Sequence, residues 1–181
     1  MIHACTYTTP AGPLTVLADD QPSTDAEQTT PVIVAAGFCS ADDLWQRLPH
    51  TPDAVMATVD DLGPLEQPIQ DYLRGDLTAV ERLPLKQPGT DLQQRVWDSL
   101  RAIPTGETRT YGELASMSGS PKAVRAVGTA CGKNLIAPFV PCHRAVRSDG
   151  TLGGYVYGLD AKRWLLHHET AQSTQQATQT V

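Results

Sequence analysis

Short hydrophobic runs rich in β-branched residues recur through the first ninety residues. IHACTYTT and PLTVLAD flank the turn sequence Pro10-Ala11-Gly12-Pro13, which predicts a pair of strands. PVIVAAGFC and AVERLPLK predict two further strands, whereas DDLWQRL and LEQPIQDYLRG have the spacing of short helices, the second ended by Gly75. The polar residues 21–30 predict a loop. Together these elements predict a small mixed α/β unit.

Helical spacing replaces this pattern from residue 90 onward. Residues 90–93, TDLQ, fit a capping box, and DLQQRVWDSLRAI places its hydrophobic residues along one stripe. TYGELASMSG predicts a short helix, and PKAVRAVGTACG predicts a second one that begins at Pro121 with Ser120 as its N-cap. Two short helices about a glycine-containing turn are typical of a helix-turn-helix. LDAKRWLLHHE predicts a last helix.

The change of pattern near Pro88-Gly89 divides the chain. We expect an α/β (α+β) fold, with a small mixed α/β domain over residues 1–88 that supports a mainly helical domain over residues 89–169. The second domain contains the helix-turn-helix. Residues 170–181, TAQSTQQATQTV, are polar and of low complexity, which predicts a disordered tail.

Composition places the chain among globular proteins. Its 181 residues are 40% hydrophobic, and no apolar run reaches membrane-spanning length. The start, MIHACTYTTPAGPL, lacks the basic and apolar regions of a signal peptide. We therefore expect a cytoplasmic protein with no membrane partner and with reduced thiols.

Four cysteines are present without any C-x-x-C pair: Cys5, Cys39, Cys131 and Cys142. A zinc site is conceivable from four side chains of the first third: His3, Cys5, Cys39 and His50. Their spacing matches no zinc-ligand pattern, so scattered structural residues are the favoured interpretation and no metal is expected.

Charge is distributed unevenly along a chain whose net charge is −6. Residues 1–89 carry 4 Lys/Arg and 13 Asp/Glu, whereas residues 90–169 carry 10 and 7. Five basic residues fall between positions 110 and 147, against the single acid Glu113: Lys122, Arg125, Lys133, Arg144 and Arg147. This asymmetry suits either a surface that faces an anion such as nucleic acid, or two differently solvated surfaces.

The predicted second helix of the helix-turn-helix is poor in large side chains. Small residues such as Ala126 and Gly128 dominate it, although glycine costs about 1 kcal/mol in a helix interior. Small side chains let a backbone approach another helix or a nucleic-acid groove closely. Lys122 and Arg125 lie one turn apart, which favours a groove with phosphates.

Cys142 stands between a proline and a histidine in NLIAPFVPCHRAV. Adjacent side chains on a strand point to opposite faces, so Cys142 and His143 can cooperate only if the chain turns there. A thiol beside an imidazole is typical of an activated nucleophile, and a small core residue is the alternative interpretation.

VPCHRAV resembles the reactive segment of the O6-alkylguanine-DNA alkyltransferases. LQQRVWDSLRAIPTGETRTYGELA, GSPKAVRAVGTACGKN, SDGTLGGY and KRWLLHHE resemble the same family in the same order, over about residues 90–169. The resemblance implies DNA repair by stoichiometric, irreversible transfer of the alkyl group of O6-alkylguanine, or of O4-alkylthymine, to Cys142. It implies no cofactor, and it implies that the base leaves the duplex before it reacts.

The resemblance also implies roles for individual residues. Cys142 would be the nucleophile, His143 would activate it through a water, and Glu169 would orient His143. Tyr111 would share a proton with the leaving base, and Asn134 would bridge the turn that holds the Cys142 loop. Further substrate contacts would come from one lysine and from the glycine-rich loop: Lys162, Tyr155, Val156 and Tyr157.

Double-stranded DNA bound through its minor groove is the partner that the resemblance implies. Arg125 would fill the gap that the extrahelical base leaves. The remaining DNA contacts would come from the small-residue helix and its ends: Lys122, Ala126, Gly128 and Lys133. We expect a monomer, and cooperative binding along DNA is left open.

The sequence departs from the family pattern at five positions: Thr105, Cys131, Leu135, Val156 and Tyr157. These departures bear on pocket size and on the hinge after Asn134 rather than on the reaction class. We expect the ring of Tyr157 to point inward and narrow the space beside Cys142, with an outward ring as the alternative.

Two other functional classes share part of this pattern. A non-catalytic binder of alkylated DNA would lack the reactive cysteine, which this chain retains as Cys142. A helix-turn-helix regulator would make the thiol incidental, but neither a dimerisation helix nor an effector domain is evident.

Overall fold

The computed structural model describes residues 1–20 and 31–179, with side chains described up to residue 171. The predicted loop over residues 21–30 lies outside the described residues. Contacts divide the chain into two compact units, Met1–Gln87 and Pro88–Val181. Within the described ranges, no helix is both long enough and apolar enough to cross a membrane.

A four-stranded sheet forms the centre of the first unit, in the order β3-β2-β1-β4. Its strands are β1 (Ile2–Thr9), β2 (Gly12–Asp19), β3 (Val32–Gly37) and β4 (Met56–Thr58). The predicted turn joins β1 to β2, and Gly12 ends it with a φ of 109° that other residues rarely adopt. Strand β2 buries five successive residues because both faces of this strand are covered.

Two helices of the first unit begin and end where local chemistry predicts. Helix α1 (Ala41–Arg47) is capped by the Ser40 side chain, and α2 (Glu66–Arg74) ends at Gly75 in the left-handed conformation. The strand predicted from AVERLPLK is largely wrong, because Leu77–Arg82 forms a 3₁₀ helix. The Asp76 side chain accepts a hydrogen bond from the Thr78 backbone, and this local contact competes with strand pairing.

The side chains considered for a zinc site have other contacts. His3 Nδ1 lies 3.0 Å from a carboxylate oxygen of Asp20, and the His50 ring stacks on Trp45 at 4.1 Å. Among the described residues, no group of three His, Cys, Asp or Glu side chains is placed to hold a metal ion.

The second unit is mainly helical, which, with the mixed first unit, confirms the predicted fold class. Its helices are α3 (Asp91–Arg101), α4 (Tyr111–Met117), α5 (Val124–Gly132) and α6 (Leu159–Gln179). Two short strands, β5 (Arg109–Thr110) and β6 (Ala145–Val146), pair in parallel.

Helix α3 has the predicted capping box between Thr90 and Gln93. Its apolar stripe is buried in the core, and Trp97 joins it to α5 by donating from Nε1 to the Ala130 carbonyl at 3.0 Å. A second capping box between Thr110 and Glu113 begins α4. These caps fix where the two helices start without help from distant residues.

Helix α5 begins later than the sequence predicts. It starts at Val124 rather than Pro121, because residues 120–123 form a turn in which Ala123 N donates to Ser120 O at 2.8 Å. Lys122 therefore lies in the turn between α4 and α5, while Arg125 lies in the first turn of the helix.

Helix α6 continues past Glu169, where the sequence predicts the start of a disordered tail. The helix extends to Gln179, and residues 180 and 181 lie outside the described residues. The predicted tail contains neither glycine nor proline before its end, so no residue in it stops the helix. Thr170 turns its hydroxyl back to the Leu166 carbonyl at 2.8 Å.

Gly89 provides a test of how tightly the second unit is packed. A Cβ at this position would lie 2.5 Å from Cζ3 of the buried Trp97 ring. Gly89→Ala should therefore displace Trp97 from its hydrogen bond to Ala130 and lower the free energy of unfolding by about 1–3 kcal/mol. Urea denaturation followed by tryptophan fluorescence measures the change.

Gly112→Ala is the matched control for this substitution. Gly112 lies in the exposed first turn of α4, and its Cβ would meet only the Thr110 hydroxyl at 3.9 Å. The control should be neutral or stabilising. An unchanged stability of Gly89→Ala would show that the chain before α3 does not constrain Trp97.

Candidate active site

Cys142 begins a one-turn 3₁₀ helix, Cys142–Arg144, directly after Pro141. Successive side chains of such a turn are about 120° apart, so they do not point to opposite faces as on a strand. Arg144 N closes the turn by donating to Pro141 O at 3.0 Å. The residue with the thiol is only 7% exposed. The chain therefore turns at the position where cooperation between Cys142 and His143 requires it.

The carboxylate of Glu169 binds both residues that follow the thiol. His143 Nε2 lies 2.7 Å from Glu169 Oε1. Arg144 donates from Nε to Oε2 and from Nη2 to Oε1, each at 2.9 Å. A two-donor ion pair of this kind is stronger and more directional than a single contact. Glu169 thus joins α6 to the 3₁₀ turn that starts with Cys142.

Arg144 has further acceptors inside the protein. Its Nη1 donates to the Ile103 carbonyl at 2.6 Å, and Nη2 lies 3.4 Å from the Thr105 hydroxyl. From its charge alone, Arg144 was one of five residues that could face an anion, and the anion that it binds is Glu169. No spacing rule relates two residues that lie 25 positions apart.

Electrostatics determine the protonation of the His143–Glu169 pair. Burial raises the pKa of Glu169, but the neighbouring His143 and Arg144 outweigh it and lower that pKa to about 2. Burial, helped by the charges of Arg144 and Lys162, lowers the pKa of His143 against the opposing effect of Glu169. At neutral pH the pair is therefore a carboxylate and a neutral imidazole. Because Nε2 donates to Glu169, the buried Nδ1 carries the lone pair and is the basic atom of the ring.

Asn134 closes the loop that leads to Cys142. Its Nδ2 donates to the Val140 carbonyl at 2.8 Å, and its Oδ1 accepts from Ile136 N at 3.0 Å. Cys142 N donates to the same Val140 carbonyl at 2.9 Å. Since Asn134 lies two residues after the end of α5, its buried amide links the end of that helix to the residues just before the thiol.

A pocket of about 400 Å³ opens beside Cys142. Its walls come from α4, α5, the 3₁₀ turn and the glycine-rich loop: Tyr111, Gly128, Cys131, Gly132, Cys142, Arg147, Gly154, Tyr155 and Val156. The structure thus brings Tyr111, Tyr155 and Val156 together with the thiol, as the resemblance implies.

Tyr157 differs from the expectation of an inward ring. It is not among the residues that line the pocket, and its ring packs edge-on against Tyr155 with the ring centroids 5.7 Å apart. Tyr155 lines the pocket itself, so Tyr157 supports that ring instead of narrowing the space beside Cys142. The sequence did not determine which of the two rings faces inward.

Lys162 also differs from its predicted substrate contact. Its buried ammonium donates to the carbonyls of Ala145 at 2.6 Å, of Gly154 at 3.3 Å and of Leu152. All three N–H donors of the ammonium are thereby used within the protein. Lys162 does not line the pocket, and it instead ties α6 to β6 and to the loop that forms the pocket wall.

Tyr111 keeps its proton at neutral pH. Burial raises the pKa of its phenol, and the Cys131 and Cys142 thiols act in the same direction while Arg147 opposes them. A Cβ at Gly153 would lie 3.2 Å from both Cε2 and the hydroxyl of Tyr111, and the φ of Gly153 is +72°. Only glycine at this position leaves the phenol in place.

Helix α5 and the residues that flank its two ends present an open, basic face. Lys122, Arg125, Ala126 and Lys133 are exposed. A Cβ at Gly128 or Gly132 would meet no neighbouring atom within 4 Å. Gly128 both lies on this face and lines the pocket, so the exposed face and the pocket are continuous.

Cys131, one of the five departures from the family pattern, lies in the pocket wall. Burial, together with the nearby Cys142, raises the pKa of its thiol to about 12, so Cys131 is protonated and unreactive at neutral pH. Helical spacing could have revealed this position. Residues three and four apart share a face of a helix, so Cys131 and Gly132 lie on the same face as Gly128.

Comparisons with known proteins identify the family of this chain. The family model for the 6-O-methylguanine DNA methyltransferase DNA-binding domain matches residues 91–171. A methylated-DNA–protein-cysteine methyltransferase of Shigella flexneri is 36% identical over 165 residues, covering 89% of this chain and 91% of that protein. One of Mycobacterium tuberculosis is 40% identical over 178 residues, covering 96% and 95%.

Solved structures give the same result for the fold. The crystal structure of the Mycobacterium tuberculosis O6-methylguanine methyltransferase matches with a TM-score of 0.70 and 33% identity, covering 95% of this chain and 94% of that one. The structure of the Mycobacterium tuberculosis OGT in complex with DNA matches with a TM-score of 0.70 and 34% identity over 94% of each chain. The resemblance noted in the sequence is thus confirmed, and the chain belongs to the methylated-DNA–protein-cysteine methyltransferase family, the O6-alkylguanine-DNA alkyltransferases.

Proposed function

We propose that Cys142 accepts the alkyl group in direct repair of O6-alkylguanine, and of O4-alkylthymine, in DNA. The observation that carries the proposal is a buried thiol on the wall of a 400 Å³ pocket, followed in the chain by an imidazole that a carboxylate holds. The thiolate sulfur attacks the alkyl carbon, a sulfur–carbon bond forms and the carbon–O6 bond breaks. The electron pair of that bond passes to O6 of the leaving base.

His143 removes the proton from the thiol. Nε2 is committed to Glu169, so Nδ1 takes the proton through one water and passes it to solvent. Activation of this kind is limited in size, because an ordinary thiol with a pKa near 8.5 is already several per cent thiolate at neutral pH. Full ionisation gains about ten- to thirtyfold, and the remaining rate must come from positioning and from stabilising the leaving base.

Tyr111 supplies a proton to the leaving base, and its phenolate regains a proton from solvent. Its raised pKa keeps the phenol protonated until negative charge develops on the guanine beside it. The close contact with Gly153 holds the phenol within the pocket that contains Cys142. Proton donation at this point neutralises the leaving group, which a dry pocket stabilises poorly as an anion.

The reaction stops after one alkyl group. A thioether has no chemical route back to the thiol under mild conditions, and the protonated Cys131 is not a second nucleophile. The protein is therefore consumed stoichiometrically. O4-alkylthymine, which contains the same imidate-like alkyl ether, is the second substrate.

DNA binding belongs to the open face of α5. The target atom is inaccessible within a duplex, so the base must leave the stack, at a cost of a few kcal/mol. The unobstructed glycines let the helix enter the minor groove, Arg125 fills the gap, and Lys122 and Lys133 contact phosphates, with Ala126 and Gly128 facing the groove.

The proposal includes a monomer that acts on DNA in the cytoplasm. The monomer is supported by one observation: the thiol, its activating pair, the pocket and the basic face all lie in one unit of one chain. Cooperative binding along DNA would require contacts between copies of the protein. Alkyl transfer itself does not need these contacts.

Mass spectrometry of the intact protein and of its peptides tests the proposed function. After incubation with excess O6-methylguanine DNA, we expect one added methyl group per protein, on the peptide that contains Cys142. Cys142→Ala should bind the DNA and gain nothing, and Cys39→Ala, altered in the first unit, should react like the wild type. Removal of more than one methyl group per protein molecule would contradict the proposal.

Arg125→Ala tests the base-flipping step. Because Arg125 replaces the flipped base within a duplex, its loss should slow transfer from duplex DNA by about tenfold or more and leave transfer from single-stranded DNA nearly unchanged. Arg101→Ala, an exposed arginine on α3, is the control. Equal losses on both DNA forms would assign Arg125 to general DNA affinity or to folding.

The pH dependence of stability tests the neutral state of His143. Its folded pKa lies below the ordinary 6.5, so below pH 6.5 the unfolded chain binds a proton that the folded chain does not. The free energy of unfolding should fall by up to about 1.4 kcal/mol per pH unit as the pH decreases from 6.5. Glu169 adds a further loss between its ordinary 4.5 and about 2.

His143→Gln should flatten this dependence between pH 6.5 and 4.5, measured by urea denaturation at each pH. His167→Gln, which alters an exposed residue of the same helix as Glu169, should retain the wild-type slope. If His143→Gln also retained it, the pH dependence would arise from a different group.

A further inference from the structure

Arg147 is an exposed arginine on the wall of the pocket that contains Cys142. Three other arginines of the same unit each have a carboxylate within 3 Å: Arg109, Arg144 and Arg163. In the part of the chain that the structure describes, no carboxylate lies within 4 Å of the Arg147 guanidinium. Arg147 thus presents a positive charge to the pocket without an ion pair at contact distance, and it acts on the carboxylate of Asp149 only at longer range, where it helps to lower the pKa of that group.

A tight turn fixes the backbone from which Arg147 extends. Arg147 N donates to Thr151 O at 2.9 Å, and Gly150 N donates to Arg147 O at 3.0 Å. The nearest acid in sequence, Asp149, directs its Oδ1 to the Thr151 backbone and hydroxyl at 3.0 and 2.7 Å. The turn therefore holds Asp149 in its own hydrogen bonds and leaves Arg147 to extend along the pocket wall.

Gly153 shows how close Arg147 lies to Tyr111. The position of a Cβ on Gly153 would be 3.2 Å from the Tyr111 hydroxyl and 3.5 Å from Arg147 Cγ. The aliphatic stem of Arg147 and the phenol are thus neighbours across one glycine. Arg147 is an exposed residue, whereas Cys142 is 7% exposed, so the two lie at different depths of the pocket wall.

This difference in depth identifies the anion that Arg147 can meet. The alkyl carbon must reach Cys142, so O6 and its alkyl group occupy the buried end of the pocket. The sugar and phosphates must remain at the open end, because they continue into the rest of the DNA strand. Arg147 is the exposed residue of the two and lies at that end, and a guanidinium binds phosphate oxygens with two parallel donors.

We propose that Arg147 binds a backbone phosphate of the nucleotide whose base occupies the pocket. The inference rests on the proposed function, since it takes the base to enter with its alkyl group toward Cys142. It distinguishes Arg147 from Arg125, which acts only where a duplex has a gap to fill. Arg147 acts on the extrahelical nucleotide itself, so it contributes with single-stranded DNA as well.

Three substrates separate these roles in the Arg147→Gln variant. Transfer from duplex and from single-stranded O6-methylguanine oligonucleotides should each slow by about tenfold, the loss expected for one charged hydrogen-bonded contact. Reaction with free O6-benzylguanine, which has neither sugar nor phosphate, should change by less than about twofold. Arg147→Lys should recover part of the loss, and Arg101→Gln on α3 is the control.

Replacing one charged phosphate of the DNA with a neutral analogue identifies the phosphate that Arg147 contacts. Single-stranded oligonucleotides with a methylphosphonate on the 5′ or the 3′ side of the target should slow the wild type at one of the two positions. At that position Arg147→Gln should show no additional loss, because the charge it would have met is already absent. Additive losses at both positions would overturn the proposal.

Two further outcomes would also overturn it. An equal loss with free O6-benzylguanine would mean that Arg147 acts on the chemical step beside Tyr111. A loss confined to O6-carboxymethylguanine would mean that it meets an anion on the alkyl group. Absence of transfer by the wild type would instead contradict the proposed function, so the two failures are distinguishable.

Discussion

The buried carboxylate of Glu169 is the group on which the arrangement of the second unit depends. It accepts from His143 and from Nε and Nη2 of Arg144, while Nη1 of Arg144 donates to the carbonyl of Ile103 beyond the end of α3. One charge thus connects α6, the 3₁₀ turn of Cys142 and the chain after α3. Removing one partner of a buried ion pair typically costs about 3–5 kcal/mol, because the other charge is left uncompensated.

The same carboxylate determines the chemistry of the imidazole. Arg144 supplies the positive charge that Glu169 needs, so His143 can remain neutral while it donates from Nε2. A buried histidine paired with a carboxylate that lacked another cation would be drawn toward the imidazolium form, which cannot accept a proton from a thiol. Arg144 is therefore a positioning residue whose charge preserves the basic character of His143.

Local signals in the sequence predicted those parts of the fold that depend on local chemistry. The α3 capping box and the Gly75 helix end need only neighbouring residues, and both are found. The predicted start of α5 is too early, because a serine followed by a proline can either cap a helix or begin a turn. Here the hydrogen bond from Ala123 N to Ser120 O closes a turn before the helix starts. The prediction of the last helix end failed because a polar composition does not by itself stop a helix.

Tertiary contacts determine the rest of the site, and the sequence shows them poorly. Five basic residues look equivalent in composition, yet Arg144 is buried against Glu169 while Arg147 faces the pocket. Lys162, beyond that set, satisfies backbone carbonyls rather than substrate. The family motif located the thiol and its neighbours, but only the folded chain shows which cations are already neutralised and which can meet DNA.

Nitrogen NMR of His143 tests the central claim most directly. In protein labelled with ¹⁵N-histidine, the His143 signals are identified by their absence in His143→Gln, and their shifts report the proton on each ring nitrogen. The account predicts a neutral ring at pH 7 with the proton on Nε2 and an unprotonated Nδ1. A doubly protonated ring at pH 7, or a neutral ring with the proton on Nδ1, would contradict it.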